Sequence, residues 1–173
     1  MYRIIESDLP ANNIYRMVVE APRIARHCLP GQFIIVIRDE FSERIPLTIC
    51  DYDREAGTIT IVFQPAGAST SMLTDLKRGD SFYSVVGPLG NPSELCSMSI
   101  EELQALKIIF IAGGVGTAPV LPQVKWLHAH GIACDVIVGA KTKDLILLEE
   151  EMKAVAGNLY ITTDDGSYGR SGM

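Results

Sequence analysis

The sequence has few of the residues that mark several common kinds of site. Its four cysteines, Cys28, Cys50, Cys96 and Cys134, are scattered, and none belongs to a Cys-x-x-Cys pair. That spacing speaks against a disulfide framework and a thiolate metal centre, and fits reduced thiols in a cytoplasmic protein. No metal site is expected from histidine either, because His128 and His130 stand two apart on an expected helix and face different ways. No apolar run reaches the ~20 residues of a membrane span, and the N-terminal Met-Tyr-Arg-Ile-Ile-Glu-Ser-Asp carries charges where a secretory leader needs an apolar stretch. A basic excess is missing as well. Lys and Arg total 15 against 21 Asp and Glu, and the net charge of −6 argues against nucleic acid or an anionic membrane as the main partner. There is no recognisable Ser-His-Asp or Cys-His arrangement, and Glu149-Glu150-Glu151 reads most simply as a solvated helix face.

What is present is apolar material for a core. Hydrophobic residues make up 47% of 173 positions, enough for one ordinary domain or two small ones. In the first half, residues 2–8, 14–20, 33–38, 58–63 and 81–86 are rich in β-branched or aromatic side chains. Leu9-Pro10, Pro30-Gly31, Ala56-Gly57, Gly79-Asp80 and Gly87-Pro88 separate them as turn signals. This pattern predicts a small antiparallel barrel or sandwich with one short helix at residues 71–76. From about residue 100 the pattern alternates instead. Helix 100–106, strand 108–112, helix 119–130, strand 134–138, helix 145–155 and strand 158–162 predict a parallel sheet with crossovers. Val120, Leu121, Val124 and Leu127 share one face of the long helix and should pack on that sheet. Residues 90–99, rich in Gly, Pro and Ser, form the expected boundary.

Four segments can carry chemistry. In Ile108-Ile-Phe-Ile-Ala-Gly-Gly-Val-Gly-Thr-Ala-Pro119, an apolar strand runs into glycines and then a helix, the order that backbone recognition of a phosphate needs. Proline stands where a dinucleotide fingerprint has its third glycine. In Arg44-Ile45-Pro46-Leu47-Thr48 the arginine can neutralise a pyrophosphate, Pro-Leu can wall a flat ring, and the hydroxyl can bond a ring nitrogen. The plainer reading is a surface arginine before an edge strand. Gln64-Pro65-Ala66-Gly67-Ala68-Ser69-Thr70 can bind phosphate oxygens or simply cap a helix. Asp164-Asp165-Gly166 at the end of the third strand can accept from ribose hydroxyls or form an ordinary turn. The loop Gly139-Ala140-Lys141-Thr142-Lys143 has two lysines and no acid, a slight lean towards NADP over NAD.

Taken together, these segments resemble the flavin- and pyridine-nucleotide-binding reductases of the ferredoxin–NADP reductase type. Pro30-Gly31-Gln32-Phe33, Lys77-Arg78-Gly79-Asp80 and Gly87-Pro88-Leu89-Gly90 add to the likeness. The closer resemblance is to the electron-transfer subunits of dihydroorotate dehydrogenase and to the small subunits of NADH-dependent ferredoxin:NADP oxidoreductases, also known as sulfide dehydrogenases. The resemblance implies an antiparallel Greek-key FAD-binding barrel over residues 1–95. An incomplete parallel-sheet NAD(P)-binding α/β domain would follow over residues 100–173.

It implies further that Pro46, Leu47 and Thr48 line the isoalloxazine, with Thr48 the catalytic residue beside flavin N5. Arg44, Gly67, Ser69 and Thr70 would meet the FAD pyrophosphate, and Phe63 and Gln64 the ribityl or flavin edge. Gly113, Gly114, Gly116 and Thr117 would hold NAD(P)H, with Asp164 and Asp165 also at the cofactor. Two departures stand out: Arg44 lies four residues before Thr48 where the superfamily has three, and Leu47 replaces a stacking tyrosine.

Family members continue into a cysteine quartet holding a [2Fe-2S] cluster, so the present sequence reads as a truncated form. A longer chain would pass hydride from NAD(P)H to flavin and electrons through the cluster to a larger partner subunit, dihydroorotate dehydrogenase-like or a flavin/iron–sulfur subunit, with ferredoxin a further candidate. Two rival readings remain: a non-catalytic flavin-binding docking module completed by a partner, and an α/β nucleotide-binding protein without flavin.

Overall fold

Alternation of inward apolar and outward polar side chains builds the first half of the computed structural model, which describes residues 1–172. The strands are β1 (Tyr2–Ala11), β2 (Ile14–Glu20), β3 (Phe33–Ile37), β4 (Ile45–Asp53), β5 (Thr58–Phe63), β6 (Ser81–Phe82) and β7 (Ser84–Leu89). They form one antiparallel sheet in the order β6-β1-β2-β5-β4-β3-β7. Only Tyr83 separates β6 from β7, so the two sheet edges are neighbours in the chain and the sheet curls into a nearly closed barrel. Ile34, Val36, Ile49, Ile59, Ile61 and Phe82 fill its interior. Two short helices, α1 (Pro22–His27) and α2 (Ala68–Leu73), add Ile24, Ala25 and Leu73 to that core.

Two barrel elements were not foreseen as such. The six-residue α1 is too short to show a helical period, and its clearest sign is Pro22 in the first turn, where a missing N–H costs nothing. Residues 45–53 form a full nine-residue strand, although Pro46 argues against a central one. The register resolves the conflict. Ile45, Pro46, Leu47 and Thr48 pair only with β3, whereas Ile49 and Asp51–Asp53 pair only with β5. Pro46 therefore lies in a half-strand with a neighbour on one side, and the other edge of residues 45–48 is open.

The second half is a four-stranded parallel sheet, β11-β10-β9-β8, with β8 (Ile109–Gly113), β9 (Asp135–Ala140), β10 (Asn158–Thr163) and β11 (Arg170–Ser171). The sequence pattern shows three of these. The two-residue β11, which pairs Arg170 with Thr162 and Ser171 with Thr163, is too short to leave a periodic signal. Helices α3 (Ile100–Gln104), α4 (Thr117–Ala129) and α5 (Glu149–Lys153) accompany the sheet. A capping box starts α3: Glu102 N–H donates to Ser99 Oγ at 3.2 Å, and Ser99 N–H to Glu102 Oε2 at 2.8 Å. As the spacing predicts, Leu121, Val124 and Leu127 of α4 are buried, with Val120 packed at the margin. Pro119 is the third residue of α4, where its absent N–H would have had no partner within the helix.

Helix α4 also faces the barrel. Ala11, Ile14, Cys50 and Val62 point away from the barrel core and join Leu121, Val124 and Val136 in a second apolar cluster. The other sheet face is bare: Ile111 is 77% exposed on β8, an edge strand. No helix among the described residues is long and apolar enough to cross a membrane.

Candidate functional site

Strands of a parallel sheet end together, and the loops that leave their carboxyl ends enclose a crevice. Here β8, β9 and β10 end at Gly113, Ala140 and Thr163. A cavity of about 690 Å³ lies against those ends, lined by Gly113, Gly114, Ala140, Lys141 and Asp164. Ile14 and Gln64 of the barrel also line it, so it opens between the two halves. The structure thus brings together Gln64, Gly113, Gly114 and Asp164 from the expected set. Ile14 had no sequence signal beyond its place at the start of a strand.

Each glycine has its own cause. Gly114 has φ +52°, a left-handed conformation that favours glycine, at the start of a 3-10 turn over Gly114–Gly116. Gly113 (φ −125°, ψ 129°) and Gly116 (φ −64°, ψ −10°) have backbones any residue adopts. A Cβ added at Gly113, Gly114 or Gly116 meets nothing within 4 Å. Neither backbone strain nor packing within the chain demands glycine at positions 113 and 116. The free space beside the cavity suits a ligand that approaches the main chain closely.

The remaining nucleotide candidates divide. Thr117 is fully enclosed and does not line the cavity, and its Oγ1 has no partner among the described residues. Asp165 does not line it either: its carboxylate accepts from Ser167 N–H at 3.0 Å and Ser167 Oγ at 2.6 Å. Those bonds hold it below the usual carboxylate range, and they are turn chemistry. Gly169 is likewise structural, with φ +66° and room for no Cβ, since one would lie 2.2 Å from Ile161 O. Lys141 lines the cavity, while Lys143 sits 5.1 Å over the Tyr168 ring.

On the barrel, strand alternation turns two of the expected side chains inward. Leu47 and Phe63 point inward into the core, and Phe63 stacks on Tyr15 with ring centroids 5.7 Å apart. Their side chains are therefore turned away from any ligand on the outer surface. Pro46 is exposed and Thr48 half-buried, both on the open-edged half of β4.

The pyrophosphate candidates share one side. Arg44 lines a second cavity of about 610 Å³ with Glu40, Ser42, Glu43 and Tyr83. Ser69 Oγ donates to the Glu43 carboxylate, and Arg38 pairs with Asp75 at 3.5 Å, so the loop before β4 is tied to the α2 segment. Gly67 is extended (φ −166°) and a Cβ there meets nothing within 4 Å, so glycine is again not demanded by the chain itself. Thr70 Oγ1 accepts from Ala66 N–H at 2.9 Å and Gly67 N–H at 3.2 Å, which is capping.

Three of the four cysteines, Cys28, Cys50 and Cys134, are buried. Burial pushes the thiols of Cys28 and Cys134 up to about 11 and that of Cys50 to about 12. Among the described residues no group of three or more His, Cys, Asp or Glu side chains could hold a metal ion. The described residues therefore do not fit an iron–sulfur cluster.

No protein-family model matches the sequence. An uncharacterized Clostridium beijerinckii protein encoded in an adh 3′ region is 57% identical over 168 residues, covering 97% of this chain and 57% of that one. The Thermotoga maritima dihydroorotate dehydrogenase B (NAD(+)) electron transfer subunit homolog is 34% identical over 163 residues, covering 94% of this chain and 55% of its own. A solved structure of an NADH-dependent reduced ferredoxin–NADP oxidoreductase, studied for flavin-based electron bifurcation, superposes with a TM-score of 0.89 at 34% identity. That match covers 99% of this chain and 59% of the other. In sequence and fold the chain is similar to proteins of the ferredoxin–NADP reductase type. It spans a little over half the length of these relatives. Within this two-part fold, the crevice falls between the barrel and the parallel sheet.

Proposed function

We propose that this chain binds FAD on the barrel and NAD(P)H in the crevice, as the electron-transfer part of a flavoprotein oxidoreductase. The observation that carries the reading is Gly113, which the fold does not require and which lines a cavity of about 690 Å³, with Gly116 three residues further on equally free of any demand from the fold. Gly114 and Gly116 give the nucleotide phosphates access to main-chain N–H groups at the start of α4, where the helix dipole favours an anion. The enclosed Thr117 hydroxyl, unpartnered among the described residues, lies directly after this loop. Asp164 and Lys141 both line the cavity, which supports a ribose acceptor in the first and a phosphate partner in the second.

On the barrel, the open edge of residues 45–48 offers main-chain groups to a flat ring, with Pro46 as an apolar wall and the Thr48 hydroxyl as partner for a ring nitrogen. Arg44, Gly67 and Ser69 form the pyrophosphate side, and Ser69 exchanges its bond to Glu43 for a phosphate oxygen. Bound flavin supplies two-electron acceptance from a nicotinamide and one-electron delivery onward, and the residues named here orient it and exclude water. A larger redox subunit, of the dihydroorotate dehydrogenase or flavin/iron–sulfur kind, completes the assembly, with ferredoxin as a further acceptor. Reduced, buried thiols suit a cytoplasmic setting.

A second reading is a flavin-binding docking module without turnover. It is favoured by the bare wall at Ile111, 77% exposed, beside the crevice. Anaerobic titration separates the two. Protein that takes up FAD and is bleached by NADH or NADPH supports the reductase, and yellow but unreactive protein supports the module. Protein that takes up no FAD contradicts both.

A further inference from the structure

A second cleft lies between the barrel and α4, lined by residues that neither the crevice nor the flavin edge uses. It measures about 370 Å³, and its lining includes Tyr52 and Arg54 at the end of β4, Lys125 and Trp126 on α4, and His130 just after that helix. The two walls are tied by an ion pair: Lys125 Nζ donates to both Asp51 carboxylate oxygens, at 2.8 and 2.7 Å.

The charges leave a surplus. Asp51 neutralises Lys125, whereas the Arg54 guanidinium has no carboxylate partner among the described residues. Its Nη2 donates to Cys28 O at 3.2 Å and its Cζ lies 5.2 Å from the centroid of Tyr52, which leaves most of the N–H fork available. A free guanidinium fork matches a carboxylate.

The opposite wall is aromatic. Trp126 and His130 pack in a tilted arrangement, with centroids 4.0 Å apart and planes 32° apart. His130 Nδ1 lies 2.7 Å from Trp126 O, and a carbonyl only accepts, so Nδ1 carries the proton. In the neutral ring Nε2 is then an acceptor. Leu29, Pro122 and Ala129 add apolar lining, and the Asp51 carboxylate that accepts from Lys125 completes it. The cleft thus combines one surplus positive fork, an aromatic wall and one acceptor.

We propose that this cleft binds a small aromatic monocarboxylate, its acid on Arg54, its ring against Trp126 and a ring hydroxyl donating to His130 Nε2. Because both halves of the molecule line the cleft, occupancy also holds α4 against the barrel. The test uses the only tryptophan in the chain, which is Trp126. The protein is titrated with 4-hydroxybenzoate while Trp126 emission is followed, with and without saturating FAD. Saturable quenching is expected, unchanged by FAD, with 4-hydroxybenzamide bound at least roughly tenfold more weakly because its amide has no charge for Arg54. Arg54→Gln should lose the acid's advantage over the amide. No saturation up to roughly 10 mM, equal binding of acid and amide, an unaffected Arg54→Gln variant, or displacement by FAD would each overturn the proposal.

Discussion

Lys125 on α4 and Asp51 on β4 form a polar link between the two halves of the molecule, with Nζ 2.7 Å from Oδ2. The side chains are 42% and 29% exposed, so solvent screens much of their attraction. The apolar cluster of Val62, Leu121 and Val124 beside them contributes more. A double-mutant cycle of Asp51→Asn and Lys125→Met, followed by urea unfolding, should give a coupling of about 0.5–1 kcal/mol. A coupling several times larger would mean that the ion pair, and not apolar burial, joins the halves.

Gly169 and Gly116 make a controlled pair, because one is required by the fold and the other is not. Gly169→Ala places a methyl group 2.2 Å from Ile161 O at φ +66°. The left-handed backbone alone costs about 1–2 kcal/mol, and the clash adds to it. Thermal unfolding should therefore show a loss of more than about 2 kcal/mol, read as a clear fall in Tm.

The buried thiols predict the alkaline limb of stability. Cys50 is raised to about 12 from 9.0, and Cys28 and Cys134 to about 11, chiefly by burial. In each case the folded state resists ionisation more than the unfolded state does. Their contribution is fully present below pH 9 and is lost as pH rises through 11 to 12. Urea midpoints measured across this range should fall with pH, and Cys50→Ala should flatten the slope.

Much of the architecture was legible because it rests on periodicity. The alternation Thr58-Ile59-Thr60-Ile61 and the helical stripe Leu121, Val124, Leu127 each point to one element and one buried face. β4 was obscured by Pro46, whose penalty vanishes only because residues 45–48 pair on one side, a fact of register that no local pattern contains. Side-chain direction within β4 and β5 was the other gap. Leu47 and Phe63 occur in segments where ligand contact was expected, yet alternation turns both inward. Among the glycines, sequence alone could not separate Gly169, fixed by contact with Ile161, from Gly116, which nothing in the chain restrains.

That last distinction supplies the most direct test of the central claim. Gly116 has a helix-compatible backbone at φ −64° and open space where a Cβ would go. Gly116→Ala should leave the protein folded and equally stable, or more stable by about 0.4–1 kcal/mol through a restricted unfolded chain. Calorimetric titration with NADH and NADPH should show affinity lowered at least roughly tenfold, because the methyl group fills the approach to the main chain. Unchanged nucleotide affinity in a stably folded Gly116→Ala variant, or no nucleotide binding by the unaltered protein, would contradict the account.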